Sequence, residues 1–403
     1  MAANPDIVTG PATAVTVPAE QSLPATLKAN IQGMRFDLRE LSGGLGDLGT
    51  FIPIVTALSI VSGMDIAMIL VVAGLANIAT GLLFGLPIPV QPMKSIAAVA
   101  IVEKLLPPEI AAAGLLAGAV MFLLGTSNLI TRIDKVIPKP VVRGIQLGVG
   151  IKLALKGVSF ISALPVWGLN SMAIAGGLLL LLLVERRVRR FPTALVFLLT
   201  GFVIMYVARR FPVGVVTIGL PHWQFILPAP AAWWHGLLYG AIPQLPLTIL
   251  NSVVAVCALS GDLFPGRRVP VTKMSVSVGL MNLLGCWFGG MPMCHGSGGL
   301  AGQYRFGART GGSVVALGTA KLLLGLFFGT TAAALLVAYP RSVLGVMLVL
   351  AGIELARPAR DQRTLRPFVI MALTAAGIIA VNVLVGFLVG MAVAVLSGIK
   401  KNR

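Results

Sequence analysis

The sequence predicts an all-α, polytopic membrane protein built from two inverted repeats of seven transmembrane segments each. Three observations lead to this prediction. The chain is 57% hydrophobic and only 11% charged, with a mean hydropathy of +0.95, whereas soluble domains carry roughly 25% charged residues. Apolar stretches follow one another over most of its 403 residues. Two short, proline-interrupted stretches also recur at matching positions in the two halves, as expected for a duplicated transporter.

Fourteen apolar stretches are separated by short polar connections. A transmembrane helix needs about 20 apolar residues, and a shorter stretch indicates a partial or broken span. The predicted segments of the first half cover residues 42–62, 64–86, 92–105, 109–130, 140–156, 169–184 and 191–208. Those of the second half cover residues 238–258, 271–289, 294–304, 312–336, 341–355, 366–380 and 382–399.

The net charge of +18 comes from bases that lie mainly in the loops. If the loops alternate sides from a cytoplasmic N-terminus, 23 of the 31 Lys and Arg residues lie on the cytoplasmic side and six on the other. This bias predicts that both termini are cytoplasmic, and a plasma (inner) membrane is the expected location. The bases form no single soluble face, which argues against nucleic-acid binding.

The segment count divides the chain into four regions. Residues 1–40 are rich in proline and contain no apolar run, so we expect a disordered cytoplasmic tail. Residues 41–208 form the first repeat and residues 238–403 the second. Residues 209–237 include Trp223, Trp233 and Trp234 and are typical of an interfacial connector. Because seven is odd, the two repeats must have opposite orientations in the bilayer.

The third and tenth segments both begin with a proline-rich break. The third begins LPIPVQPMKS at Leu86, the tenth is preceded by GMPMCHGS at Gly290, and Pro89 and Pro292 lie 203 positions apart. Proline lacks an N–H and disfavours helix at the residue before it. We therefore predict a short extended strand followed by a half-helix in each repeat, with a simple kink as the alternative. The first and eighth segments match as well, with Asp47 corresponding to Gln244.

Such breaks are well suited to bind an anion. The N-terminus of each half-helix carries about half a positive charge. Two helix ends and Lys94 together would balance a dianion. Side-chain donors and a glycine that permits close backbone approach surround this point, namely Gln91, Ser95, His295, Gly296 and Ser297. Cys294 lies beside them and is expected in the same cavity, as a packing residue. No second histidine or acid accompanies His295, so we expect neither a metal nor a cofactor.

Asp47 is the only acid well inside a predicted span. It could carry a coupling proton, cap the first helix, or act as the fixed counter-ion of Lys94, and the residues alone leave these alternatives open. Its counterpart Gln244 cannot titrate. Lys321 is the second base inside a span, but no helix break lies near it. We expect Lys321 to snorkel or to make a contact in the bundle interior.

Four runs of sequence together resemble the molybdate transporter family, which is related to the sulfate permease (SulP) superfamily. They are GDLGTFIPI from Gly46, PVQPMKSIA from Pro89, PQLPLT from Pro243 followed by Asn251 and Ser252, and MCHGSGGLAGQYR from Met293. The resemblance implies a secondary transporter that takes up molybdate. It also implies that Thr50 and Asn251 belong to the substrate site together with Asp47 and Gln244.

The resemblance further implies the seven-plus-seven fold of the uracil permeases. In that fold a core domain contains segments 1–4 and 8–11, and a gate domain contains segments 5–7 and 12–14. Sulfate permeases typically append a STAS domain, and none is expected here because the chain stops at Arg403, soon after its last span.

Several alternatives remain at this stage. Sulfate, tungstate or another tetrahedral oxyanion would suit the same donors as molybdate. A nucleobase suits them less, since no acid lies at the second break to accept from ring N–H groups. An anion channel is a further alternative. An enzyme is disfavoured, because one Asp and one His form no catalytic set. Besides molybdate and the lipid bilayer, a coupling proton and a second copy in a homodimer are the partners left open.

Overall fold

The computed structural model describes residues 23–133, 138–185, 193–208 and 218–398. A helix occupies each of the fourteen predicted spans. Within the described residues, seven helices are long and apolar enough to cross a membrane, and four shorter apolar helices accompany them. Residues 1–22 of the predicted tail and 209–217 of the predicted connector lie outside the described residues. The chain is therefore an all-helical membrane protein.

The elements are numbered in chain order. The first half contains α1 (Leu23–Gln32), α2 (Leu38–Leu45), α3 (Leu48–Ser62), α4 (Ile66–Phe84), β1 (Gln91–Pro92), α5 (Lys94–Glu103), α6 (Pro107–Thr126), α7 (Ile130–Ile133), α8 (Lys139–Ser162), α9 (Met172–Glu185) and α10 (Thr193–Val207). The second half contains α11 (Pro230–Leu263), α12 (Val271–Gly285), β2 (Met293–Cys294), α13 (Ser297–Phe306), α14 (Gly312–Ala338), α15 (Arg341–Ala356), α16 (Leu365–Ala380) and α17 (Val383–Leu396).

Two expectations about the segments outside the spans are wrong in part. Residues 23–40 are not a disordered tail, because α1 and the start of α2 lie there. Asn30 of α1 donates to the carbonyls of Leu82 and Leu83, at 2.9 and 3.1 Å, and so fastens α1 to the end of α4. The connector is also shorter than predicted, because α11 begins at Pro230.

Helix α11 contains two widened turns that the sequence did not predict. Residues Gly236–Ala241 and Thr248–Val254 are π-helical, and the α-helical turn between them contains Pro243 and Pro246. Each proline removes an N–H from the helical hydrogen-bond ladder, and the ladder adjusts around it. This adjustment lies beside Gln244 and Asn251, two of the predicted site residues.

The main helix pairs join the two halves of the chain. Helix α4 packs on α14, α6 packs on α12, and α8 packs on α15. Glycines allow this close approach. A Cβ added to Gly74 of α4 would lie 2.7 Å from the Gly318 carbonyl oxygen of α14. A Cβ added to Gly118 of α6 would lie 3.1 Å from the Gly279 carbonyl oxygen of α12. Small residues at such crossings are common in membrane helix pairs.

These contacts predict that Gly74→Ala destabilises the protein, because the new methyl group collides with the backbone of α14. Overpacking of this kind costs about 1–3 kcal/mol. Gly177→Ala in α9 is the matched control, since a Cβ there has no neighbour within 4 Å and alanine favours helix. The melting temperature of the purified protein in detergent should fall for Gly74→Ala only. Equal melting temperatures would contradict the close α4–α14 contact.

Candidate functional site

The two breaks meet in a two-stranded antiparallel ladder at the centre of the core. Gln91 of β1 lies opposite Cys294 of β2, and Pro92 lies opposite Met293. The N–H of Met93 also donates to the Pro292 carbonyl at 2.8 Å. Helix α5 follows β1 and α13 follows β2. Because the strands run in opposite directions, the two half-helices lead away from a shared point to which both N-termini are directed.

A buried asparagine holds β2 in place. Asn282 of α12 donates from Nδ2 to the Met293 carbonyl at 2.7 Å, and its Oδ1 accepts from the Met293 N–H at 2.8 Å. The N–H and the C=O group of Met293 therefore both have partners in an apolar surrounding, as is required at membrane depth. Sequence reasoning missed Asn282. The available signal was its match with Asn77 in the corresponding helix of the first half.

His295 links the two breaks. Its Nδ1 lies 2.9 Å from the Pro89 carbonyl oxygen and its Nε2 lies 2.9 Å from Ser277 Oγ. A carbonyl only accepts, so Nδ1 must carry a proton, and a neutral ring then accepts from the Ser277 hydroxyl at Nε2. Both ring nitrogens are thus engaged within the protein. The sequence did not predict that His295 would bridge the two breaks. A direct contact between His295 and a substrate stays a prediction.

Asp47 is fully buried between α2 and α3. Its Oδ1 accepts from Gln91 Nε2 at 2.5 Å, and its Oδ2 has no hydrogen-bond partner among the described residues. Asp47 stands at the N-cap position of α3, but its side chain makes no capping hydrogen bond, which argues against the N-cap alternative. No ion pair within 4.0 Å joins Asp47 to Lys94 in the described part of the chain.

The N-terminus of the first half-helix is already capped by a neutral side chain. Gln244 Oε1 accepts from the N–H groups of Ser95 and Ile96 at 2.9 and 3.3 Å. Its Nε2 donates to Thr248 Oγ1 at 2.9 Å, which fixes the amide orientation. The Ser95 hydroxyl is buried beside this cap and has no partner among the described residues. Gln244 therefore occupies the end of α5 that the sequence analysis had assigned to an anion.

The N-terminus of the second half-helix is open by comparison. In the described structure no acceptor meets the N–H groups of Ser297, Gly298 and Gly299. A Cβ added to Gly298 would have no neighbour within 4 Å, so free space lies against this turn. The Ser297 hydroxyl donates to Asn251 Oδ1 at 2.9 Å. The first turn of α13 thus has unpaired amides, and free space adjoins it at Gly298.

Gln91 and Lys94 complete the surroundings of this space. The Gln91 amide lies against Gly296 and Gly299, where an added Cβ would collide with it. Lys94 is the first residue of α5, directly after β1, and is partly exposed. The structure therefore brings together all the predicted site residues whose side chains it describes. Thr50 lies in α3, but its side chain is outside the described part of the structure.

Lys321 lies in the interior of the helix bundle. Its side chain is 3% exposed, so snorkelling is wrong and the expected contact in the bundle interior is confirmed. The ammonium donates to Asn77 Oδ1 at 3.0 Å and lies 3.6 Å from the centroid of the Phe51 ring. The sequence offered no signal for these partners, because they come from two other helices.

A sequence profile described as "Molybdate transporter of MFS superfamily" matches residues 39–153 and 236–355. Molybdate transporter 1 of Arabidopsis thaliana is 40% identical, over 90% of this chain and 89% of its own length. Molybdate transporter 2 of the same plant is 41% identical over 84% of this chain and 82% of its own. Molybdate transporter 1 of Chlamydomonas reinhardtii is 32% identical over 87% and 90%.

Two solved structures share the fold. The transmembrane domain of the cyanobacterial bicarbonate transporter BicA has a TM-score of 0.65 at 18% identity, covering 90% of this chain and 97% of that one. The murine anion transporter Slc26a9, in its inward-facing state, has a TM-score of 0.68 at 13% identity, covering 96% and 73%. At such low identity the likeness concerns the fold alone.

The contacts of His295 predict that His295→Leu destabilises the protein, because the Pro89 carbonyl loses its donor in a buried place. An unpaired buried group costs about 1–3 kcal/mol. His295→Asn retains an N–H donor near the Nδ1 position and should recover part of the loss. Melting temperatures in detergent measure both variants. If the leucine variant melts like the wild type, His295 does not hold the two breaks together.

Proposed function

This chain belongs to the molybdate transporter family, and on that premise we propose that it carries molybdate on the open N-terminus of α13. It is an integral, multi-pass membrane protein, and molybdate transport is its function. The observation that carries the binding proposal is the first turn of α13, where the N–H groups of residues 297–299 are unpaired and free space adjoins Gly298.

The charge balance supports this position. A half-helix end contributes about half a positive charge and Lys94 contributes one more, against the two negative charges of molybdate. The unpartnered Ser95 hydroxyl supplies a donor from the α5 side, so the oxyanion would lie between the two half-helices. The α5 amides remain on Gln244. Molybdate in this arrangement receives donors only, which suits a fully ionised oxyanion.

We propose that the two halves are inverted repeats, because their glycine contacts are reciprocal. The pair Gly74 and Gly318 joins α4 to α14, and the pair Gly279 and Gly118 joins the corresponding α12 and α6. On this basis α4 corresponds to α12 and α6 to α14. Gln91 and Cys294, the residues opposite each other in the ladder, are themselves 203 positions apart, as are Pro89 and Pro292. A symmetry axis through the ladder accounts for both facts.

The repeat supports a division into a core and a gate domain. The core would contain segments 1–4 and 8–11, which carry every predicted site residue. The gate would contain segments 5–7 and 12–14, and movement of one domain against the other would alternate access. Both termini would be cytoplasmic, by the distribution of Lys and Arg, and a plasma (inner) membrane is the proposed location. A coupling proton on Asp47 and a homodimer belong to the same proposal.

The test of the site is Lys94→Ala, which should weaken molybdate binding by roughly tenfold or more, because a charge next to the dianion is lost. Binding to purified protein in detergent is measured by calorimetry, with sulfate, tungstate and uracil as competitors. Lys273→Ala, an exposed lysine of α12, is the control for a general loss of positive charge. A normal affinity in the folded Lys94→Ala variant would refute the site.

The capped end of α5 generates a second prediction. Gln244→Glu retains an acceptor for the Ser95 and Ile96 N–H groups but adds a negative charge beside the anion. The variant should fold, because a carboxylate is favourable at a helix N-terminus, and should bind molybdate roughly tenfold more weakly.

Lowering the pH should restore its binding as the new carboxyl group becomes neutral. Thr248→Val is the control, since it removes only the hydroxyl that orients Gln244. An unchanged affinity of Gln244→Glu at neutral pH would place the anion away from α5.

A further inference from the structure

The core contains few buried charges. Among the described residues the buried acids are Glu40 and Asp47, and Lys321 is the one buried lysine or arginine. Glu40 is committed to the backbone, since its Oε1 accepts from the N–H groups of Arg309 and Thr310 at 2.9 and 3.0 Å. Asp47 and Lys321 are the buried acid and base whose side chains form no hydrogen bond to the backbone among the described residues. A buried charge without compensation is strongly destabilising.

The geometry places Lys321 on the side of α3 that carries Asp47. The ammonium of Lys321 lies over the ring of Phe51, which is one turn beyond Asp47. The N–H of Phe51 donates to the Asp47 carbonyl at 3.4 Å. Side chains one helical turn apart lie on the same face. Asn77 of α4 holds the ammonium from the other side at 3.0 Å, so its position is fixed.

The charged and titratable groups around Asp47 come from three elements. Lys321 approaches from α14, Lys94 from α5, and the Cys294 thiol from β2, while Gln91 of β1 supplies a hydrogen bond. Neither lysine forms an ion pair with Asp47 within 4.0 Å in the described part of the chain, so the two charges would act across the buried core. Lys321 differs from Lys94 in being buried and in lying over Phe51, one turn from Asp47.

The proposed symmetry relates Asp47 and Lys321 to two neutral residues, one in each repeat. Gln244 corresponds to Asp47 in the sequence match, and Met121 corresponds to Lys321, because Gly118 and Gly318 make equivalent contacts three residues earlier. Met121 is fully buried, like Lys321, and has a side chain of similar length. The acid and the base thus occur together at one of two symmetry-related places in the core and are both absent from the other, as expected for two charges that depend on each other.

We infer that Lys321 is the counter-charge of Asp47, and that this pair behind the anion site leaves Lys94 free to bind the substrate. The inference rests on the proposed site. With Asp47 balanced by Lys321, the charge of Lys94 is available to the dianion. Without Lys321, the Asp47 carboxylate would attract Lys94 and repel the anion. Lys321 is therefore a positioning residue that acts through Asp47 and does not touch the substrate.

The experiment is a double-mutant cycle on the full chain in detergent, with Lys321→Met, Asp47→Gln and the double variant. Each substitution copies the residue at the equivalent position of the other repeat, so both are compatible with this fold. Lys321→Met should weaken molybdate binding roughly tenfold at neutral pH and regain affinity as the pH falls, when Asp47 becomes neutral. The double variant should return to within about twofold of the wild type.

Melting temperatures of the same four proteins separate this inference from the proposed site. Each single variant leaves one buried charge unbalanced and should melt lower, and the double variant should recover. If the wild type does not bind molybdate, the site fails and the melting cycle still tests the pair. Additive losses of stability, or a Lys321→Met variant with wild-type affinity at every pH, would overturn the assignment of Lys321.

Discussion

The crossing of the two proline-rich breaks is the contact on which the other features of the core depend. At membrane depth every backbone N–H and C=O group must find a partner inside the protein. The prolines contribute no N–H, and the two-residue ladder, the Asn282 side chain and the His295 ring satisfy neighbouring groups of the breaks. The extended backbone is therefore stable, and two helices can begin in the middle of the bundle.

Once two helices begin there, their N-termini differ in what they meet. The α5 amides are bonded to Gln244, whereas the first turn of α13 adjoins free space with its amides unpaired. The two half-helices thus end in different surroundings. On the proposed repeat the buried charges are asymmetric as well, because Asp47 and Lys321 correspond to the neutral Gln244 and Met121. Under that proposal, duplication would explain the framework and divergence at a few positions the asymmetry.

Close helix packing is the second condition for this arrangement. Glycines at the α4–α14 and α6–α12 crossings bring backbones within contact distance, so the half-helices are enclosed by a rigid frame. In lipid there is little hydrophobic force between helices, and close contact supplies the stability instead. The frame holds Asn282 against β2 and Asn77 against Lys321. The positions of these polar side chains therefore depend on the glycines at the two helix crossings.

The sequence by itself determined the membrane class, the helices in the fourteen predicted spans, the two strands and the group of residues around the breaks. These follow from hydropathy and from proline and glycine chemistry, which act locally along the chain. Only the tertiary structure decided that His295 bonds to Pro89, that Gln244 caps α5 and that Lys321 lies over Phe51. Each of these contacts joins residues far apart in sequence, and no local pattern encodes which distant partner a buried polar group will meet.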